Sequence, residues 1–368
     1  MDALETLANP WVSQLSVYEP GRPIEDVARE MGLDPDGIVK LASNENALGP
    51  SPKAVRAMKQ AAASMHLYPD GGAYHLRQAL SARLEVSPDM IVPGNGSNEL
   101  IELLGHAFLG PETEIVMAEC AFVVYRLVAS LFNATTVVVP MRELTHDLDA
   151  MAAAITPQTR LVFVGNPNNP TGTMVHQAEI DRFMERVPPT AIVCFDEAYI
   201  ELLAPERRPD TLRYVREGRP VAVLRTFSKT YGLAGLRLGY AVATLACARL
   251  LNRVRQPFNV NAMALAAAVA ALDDEAYVRK TRRLVASGLD TFEKAFVRMG
   301  LPFVPSVANF ILVEVGEGRK VFAAMQREGV IVRPMDVYGL PGHVRVTVGT
   351  QDENERCVAA LGRALERP

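Results

Sequence analysis

Cysteine is scarce and scattered in this chain. Its four thiols, Cys120, Cys194, Cys247 and Cys357, lie far apart and mostly in apolar or helical contexts. That spacing predicts buried free thiols and argues against a disulfide framework or a zinc site. The six histidines form no H-E-x-x-H or comparable pattern, so metal catalysis is not expected. An excess of one charge is also missing. The net charge is -4, with acids and bases interspersed, which leaves no electrostatic footprint for nucleic acid. The longest apolar run, Ala262 to Leu272, is too short to span a bilayer. The opening MDALETLANP has neither a basic n-region nor a long apolar core, so the expected compartment is the cytoplasm, with no membrane partner. Nucleotide-binding loops are missing as well. No G-x-x-x-x-G-K-[ST] occurs, and the third glycine of G-x-G-x-x-G falls on Glu99 after Gly94 and Gly96, which disfavours a nicotinamide dehydrogenase. There is no repeat, low-complexity tract or long linker, and no segment is left over to form a DNA-binding module.

What is present concentrates in residues 226–240, TFSKTYGLAGLRLGY. A lysine amine attacks a carbonyl only when deprotonated, so a reactive lysine must be desolvated or set near another cation. Lys229, with Arg237 eight residues on, can meet both conditions. Thr226, Ser228 and Arg237 offer donors suited to a phosphate, and Gly232, Gly235 and Gly239 let backbone come close to a ligand. A carbonyl-bearing, phosphorylated cofactor fits. Taken alone, the stretch equally fits an exposed lysine ahead of a glycine-rich turn.

Two upstream segments weigh on that choice. The apolar run Leu161 to Val164 stops at Asn166-Pro-Asn-Asn-Pro-Thr-Gly172, which reads as a buried strand ending in a stiff loop where Asn169 can hold an amide in a fixed direction. A plain tight turn is the other reading. The run Ala191 to Phe195 leads straight into Asp196. A carboxylate at a buried strand end calls for a cation or donors, and a protonated ring nitrogen would serve; Tyr199 can present its phenol to the same ligand. Farther upstream, Pro93-Gly-Asn-Gly-Ser-Asn-Glu99 precedes the amphipathic run Leu100 to Leu109. The first free N–H groups of such a helix, those of Ser97 and Asn98, converge on an anion, although either residue could simply cap the helix.

The order Asn169, Asp196, Tyr199, Lys229, Arg237 resembles the fold-type I pyridoxal-phosphate enzymes, in their class I/II aminotransferase branch. The resemblance implies pyridoxal 5'-phosphate as cofactor. It assigns Lys229 to the Schiff base, Asp196 to the pyridinium nitrogen, Asn169 and Tyr199 to the ring hydroxyl oxygen, and Arg237 to the phosphate, with Lys229, Asp196 and Tyr199 as the catalytic set. Ser97, Asn98, Thr226 and Ser228 would complete the phosphate site, and Phe122 matches the position of the ring-stacking aromatic. A carboxylate that keeps the ring nitrogen protonated makes the ring a better electron sink. Within the branch, Leu41-Ala-Ser-Asn-Glu-Asn46-Ala-Leu-Gly-Pro50, Tyr68-Pro-Asp-Gly71, Tyr18-Glu-Pro-Gly21, Arg333-Pro334 and Arg345-Val-Thr-Val-Gly-Thr350 are similar to the histidinol-phosphate aminotransferases, with Ala47 standing where relatives commonly carry Pro. That similarity implies transfer of the amino group of L-histidinol phosphate to 2-oxoglutarate by a ping-pong route. It implies a homodimer in which Tyr68 reaches the neighbouring subunit's cofactor phosphate, and a substrate site made by Tyr18, Asn46, Asn169, Arg333 and Arg345. Lys229 would take the Cα proton and return it to the cofactor carbon, a role worth roughly 10²–10⁴ in rate. An aromatic or broad-range aminotransferase would share every cofactor residue, and a threonine-phosphate decarboxylase would release carbon dioxide without needing 2-oxoglutarate.

The apolar patterning predicts an α/β fold. Strands near 115–118, 135–139, 161–164, 191–195, 221–225 and 238–242 alternate with helices, as in a mainly parallel sheet covered on both faces. Helices near 261–273 and 275–299 lead out of it. Strands at 303–315, 330–334 and 344–348, with helices near 318–328 and 352–366, suggest a smaller α+β domain. The expected division is a large cofactor-binding domain over 45–274, with 1–44 and 275–368 forming an N-terminal arm and small domain.

Overall fold

A computed structural model of the chain describes residue 4 and residues 6–15 and 21–366. The strands are β1 (Val39–Lys40), β2 (Ile91–Gly94), β3 (Glu114–Ala118), β4 (Thr135–Val139), β5 (Thr159–Gly165), β6 (Ile192–Asp196), β7 (Val221–Thr226), β8 (Gly239–Ala243), β9 (Phe303–Val304), β10 (Phe310–Glu314), β11 (Val330–Ile331), β12 (Arg333–Pro334) and β13 (His343–Thr347). Seven of them form one sheet in the order β2-β8-β7-β6-β5-β3-β4.

Every pairing from β4 through β7 is parallel, because a helix carries the chain back between those strands. β8 is antiparallel to β7. Only the segment 227–238 joins them, with a short 3-10 turn at Ala234–Leu236 and no crossover helix. The expectation of a mainly parallel sheet holds with that one reversal, and the reversed connection is the one that carries Lys229. β2, which the sequence reading did not separate from the glycine turn after it, pairs antiparallel with β8.

The central strands are apolar on both faces, as helices on both sides require. Val193, Phe195, Val221 and Val223 enter one core and Cys194, Ala222 and Leu224 the other. Helix Ala262–Leu272 buries Ala264, Ala267, Ala268, Ala271 and Leu272, a helical stripe of small residues that lets helix Pro52–Ala62 pack closely. The longest apolar run is thus a core helix. Among the described residues, no helix is long and apolar enough to cross a membrane. Truncating a fully buried side chain such as Phe163 to Ala would cost about 3–5 kcal/mol.

A second sheet, β12-β13-β10-β9, is antiparallel and shares a core with helices Glu275–Met299, Gly318–Arg327 and Gln351–Glu366. The stretches expected as single strands at 303–315 and 330–334 are each broken in two. β1 pairs in parallel with β11, and Val39 and Leu41 enter this second core, so the chain just before Ser43 is tied to the C-terminal part. All four cysteines are buried and free.

Candidate active site

The carboxyl ends of β5, β6 and β7 open onto a cavity of about 400 Å³, the place where open α/β sheets hold ligands. Of the residues singled out from the sequence, Ser97, Asn98, Phe122, Asn169, Asp196, Tyr199, Thr226, Ser228, Lys229, Arg237, Arg333 and Arg345 line it.

Asp196 ends β6 and is 6% exposed. Tyr125 Oη donates to its Oδ2 at 2.8 Å, and the Ala198 N–H donates to Oδ1 at 3.2 Å. Burial nevertheless pushes the carboxyl up to about 6, against the pull of those two donors. Tyr125 was not anticipated. It is fully buried, stacks on Phe163 with ring centres 4.5 Å apart and planes 5° from parallel, and meets Phe122 edge-on. Burial and the charge of Asp196 raise its phenol well above the ordinary range, so it remains a donor. The spacing Phe122-x-x-Tyr125 ahead of a helix was the available signal, since i and i+3 share a face.

Lys229 Nζ donates to the Ser43 carbonyl at 3.1 Å and lies 5.8 Å from the centre of the Tyr199 ring. Burial lowers its pKa from 10.5 to about 8, with Arg345 adding more than Arg237 and Glu45 opposing. Both conditions for a reactive amine are met, but the principal neighbouring cation comes from β13, more than a hundred residues away. Tyr199 accepts a hydrogen bond from Asn44 Nδ2 at 2.9 Å, and burial pushes its phenol up to about 12. Asn44 has φ 55°, a left-handed conformation that Asn tolerates better than most residues. It is held there by Thr347 Oγ1, which accepts from its N–H at 2.9 Å, and by Asn309 Nδ2, which donates to its carbonyl at 3.0 Å.

Helix Ser97–Phe108, whose Ser97 and Asn98 line the cavity, begins on Gly96, at φ 80° and with no side-chain cap. Capping by Ser97 or Asn98 therefore does not occur, and their N–H groups sit in the first turn. A Cβ on Gly96 would lie 2.5 Å from the Arg237 guanidinium, and one on Gly239 would lie 2.7 Å from the Ser97 nitrogen. Glycine at both positions lets a guanidinium and a helix N-terminus converge, which is an anion site. The Thr226 hydroxyl accepts from the Ser228 N–H at 3.1 Å and donates to the Leu238 carbonyl at 3.3 Å, so it shapes the loop as well as lining the cavity.

A second cationic group is built by the small sheet, where Arg333 and Arg345 stand opposite each other on β12 and β13. Arg345 donates to Asn169 Oδ1 at 2.5 Å and to the Ala42 carbonyl at 2.9 Å, and its guanidinium lies over Phe310. The loop carrying Asn169 has cis bonds at Asn166-Pro167 and Asn169-Pro170.

Three of the expected residues are not among those lining this cavity. Asn46 does not line the cavity: its amide donates to the Thr230 carbonyl at 2.9 Å and to Thr281 Oγ1 at 3.2 Å, and its oxygen accepts from the Leu48 N–H, so it fastens the chain. Asn44, two residues earlier, faces the cavity instead. Tyr68 lies outside the cavity of its own chain, 84% exposed and stacked on Phe258. Tyr18 falls outside the described residues. Among the described residues, no group of three His, Cys, Asp or Glu could hold a metal ion.

Residues 36–361 match the family Aminotransferase class I and II. The chain is 52% identical over 364 residues to the histidinol-phosphate aminotransferase of Akkermansia muciniphila, covering 99% of this chain and 100% of that one. With the corresponding protein of Moorella thermoacetica it shares 49% over 356 residues, covering 96% and 92%. Among solved structures, histidinol-phosphate aminotransferase from Sinorhizobium meliloti in complex with pyridoxal-5'-phosphate superposes with a TM-score of 0.90 at 27% identity, covering 98% of this chain and 97% of that one. Aspartate aminotransferase from Thermus thermophilus with maleate shares the fold, with a TM-score of 0.84 at 19% identity and coverage of 97% and 99%.

Proposed function

The chain belongs to the class I and II aminotransferases and, within them, to the histidinol-phosphate aminotransferase family, and on that footing we propose that it moves the amino group of L-histidinol phosphate to 2-oxoglutarate. The products are imidazole acetol phosphate and L-glutamate, formed in two successive half-reactions at one site.

The residues present fit pyridoxal 5'-phosphate. Asp196 is a buried carboxylate whose hydrogen-bond donors, Tyr125 and the Ala198 N–H, are neutral, so a protonated ring nitrogen would supply the missing positive charge. The Gly96 cradle brings Arg237 to the first turn of helix Ser97–Phe108, which suits a phosphate monoester. Phe122 lines the same cavity. When bound, the cofactor supplies an aldehyde that condenses with primary amines and a protonated ring that draws electron density from the substrate's Cα.

The chain's own residues do the rest. Lys229 Nζ, half-neutral near pH 8 because burial and Arg345 disfavour its charge, is placed to take the substrate's Cα proton and return it on the other side of the exchange. Tyr199 Oη accepts from Asn44, which leaves its own proton free to donate toward the ring hydroxyl oxygen. Asn169 is turned by Arg345, which takes its oxygen; its NH2 can then face the same ring oxygen. Arg333 and Arg345 hold the anionic end of either substrate, since guanidinium forks suit a phosphate monoester and a carboxylate alike. The site would lie between the large domain over 45–274 and the small domain formed by the two flanks. We take the working unit to be a homodimer. Tyr68 and Phe258 stack in the open, with Leu67 and Tyr74 also exposed, and a second copy would cover them and bring Tyr68 to its neighbour's phosphate site. The cytoplasm, where buried free thiols stay reduced, is the proposed compartment.

The observation that carries this reading is Lys229 and Asp196 lining one cavity together with Arg237, Arg333 and Arg345. Protein loaded with pyridoxal 5'-phosphate and mixed with L-histidinol phosphate alone should yield one equivalent of imidazole acetol phosphate per site and then stop until 2-oxoglutarate is added. Lys229→Ala should abolish this while leaving the fold intact. Release of carbon dioxide, or a strong preference for phenylalanine, would defeat the assignment.

A further inference from the structure

A charged pair lies behind the cavity, on the far face of the sheet. β6 and β7 are in parallel register from Val193 and Val221 to Asp196 and Leu224, and the Glu197 N–H donates to the Leu224 carbonyl at 2.8 Å, so the pairing continues one step and sets Glu197 beside Arg225. Side chains alternate across a strand. Asp196 and Thr226 therefore share the face of Cys194, Ala222 and Leu224 and reach the cavity, whereas Glu197 and Arg225 share the face of Phe195 and Val223. There Arg225 Nε and Nη2 each lie 2.8 Å from Glu197 Oε2, and the Thr211 hydroxyl donates to Oε1. Glu197 is 1% and Arg225 8% exposed.

Such a pair is not automatically a source of stability, because well-packed apolar side chains often do as well or better in its place. What hydrogen-bonded charges add is a fixed distance and direction. The two strand ends joined here carry the two halves of the site on their other face: Asp196 ends β6, while Thr226 ends β7 and leads within three residues to Lys229. We propose that Glu197 and Arg225 are positioning residues that lock the end of β6 to the end of β7 and thereby hold Asp196 at a fixed distance from the Lys229 loop. The pair touches neither cofactor nor substrate and acts only through the strands. This rests on the reading of the cavity as a pyridoxal phosphate site.

Arg225 also offsets the charge of buried Glu201, so the test leaves the arginine in place. Glu197→Asp keeps both charges but shortens the reach by one methylene. Thr211→Val keeps both charges and removes the hydroxyl that orients the carboxylate. For each, the dissociation constant of pyridoxal 5'-phosphate is measured by equilibrium dialysis of the apoprotein well below its melting point, alongside the melting temperature itself. The expected result is at least tenfold weaker cofactor binding for Glu197→Asp and about threefold for Thr211→Val, in protein that melts cooperatively. If Glu197→Asp does not fold, Thr211→Val decides. Variants that melt earlier yet bind the cofactor within twofold of the parent would show a purely structural pair and overturn the proposal. A parent protein that takes up no pyridoxal 5'-phosphate would instead overturn the reading of the site, and the proposal with it.

Discussion

Replacing Asp196 by Asn, which removes the charge and keeps the shape, tests the electrostatic account at its centre. In the apoprotein, burial lifts this carboxyl from 3.8 to about 6, so above that pH the fold holds an ion that would be better solvated in the unfolded chain. The rise corresponds to roughly 3 kcal/mol of lost stability, at about 1.4 kcal/mol per pH unit. Between pH 3.8 and about 6 the folded protein binds more protons at this group than the unfolded chain does. Stability therefore falls as pH rises through that window, and the deficit is complete above it. Asn removes the deficit at a cost. Its oxygen can accept from the Ala198 N–H while its NH2 donates to the Tyr125 hydroxyl, and exchanging bonds to a carboxylate for neutral ones costs about 1 kcal/mol. The apo variant should therefore be about 2 kcal/mol more stable than the parent at pH 8 and should lose that advantage at pH 4, as read from urea unfolding at the two pH values. The same substitution should remove most of the stabilisation that saturating pyridoxal 5'-phosphate gives, because a neutral amide does not hold a ring nitrogen in its protonated form. An Asn variant no more stable than the parent at pH 8 would refute the claim that Asp196 is a buried charge waiting for a cation.

Lys229 sits near a pKa of about 8, so cofactor uptake by the apoprotein should accelerate as pH rises from 7 and level off above about 8; a stopped-flow rate still climbing at pH 10 would mean an ordinary, solvated amine. Arg345→Lys keeps the charge but loses the fork that reaches both Asn169 and Ala42, and kcat/KM should fall about 10–100-fold for L-histidinol phosphate and for 2-oxoglutarate alike, the loss of about 1.5–3 kcal/mol expected of a charge-assisted contact. A loss confined to one substrate would separate their anion sites. Tyr68→Ala and Lys229→Ala proteins, each inactive or impaired alone, should recover about a quarter of parental activity when refolded together, because random pairing gives mixed dimers with one complete site. No recovery would count against a site shared across the interface.

The chemistry of this protein was legible in short windows of sequence. Lys229 among hydroxyls and glycines, Asp196 at the end of an apolar run, and the glycine turn before Leu100 each declare a local physical need: an amine to be desolvated, a charge to be matched, a helix end to be satisfied. Apolar runs bounded by turn residues likewise marked six of the seven strands of the large sheet, all but β2, to within a few residues, because burial on both faces leaves little freedom in composition. The tertiary structure decided which distant groups meet. It set Arg345 rather than Arg237 as the chief cation acting on Lys229, placed Tyr125 on Asp196, and gave Asn44 rather than Asn46 to the cavity through a left-handed kink held by Thr347 and Asn309. It also reversed β8 and paired Glu197 with Arg225 behind the site. These are contacts between segments whose separation in sequence carries no periodic signal, and a charge shows its partner only once the sheet register and the closing of one core against another have fixed the distance between them.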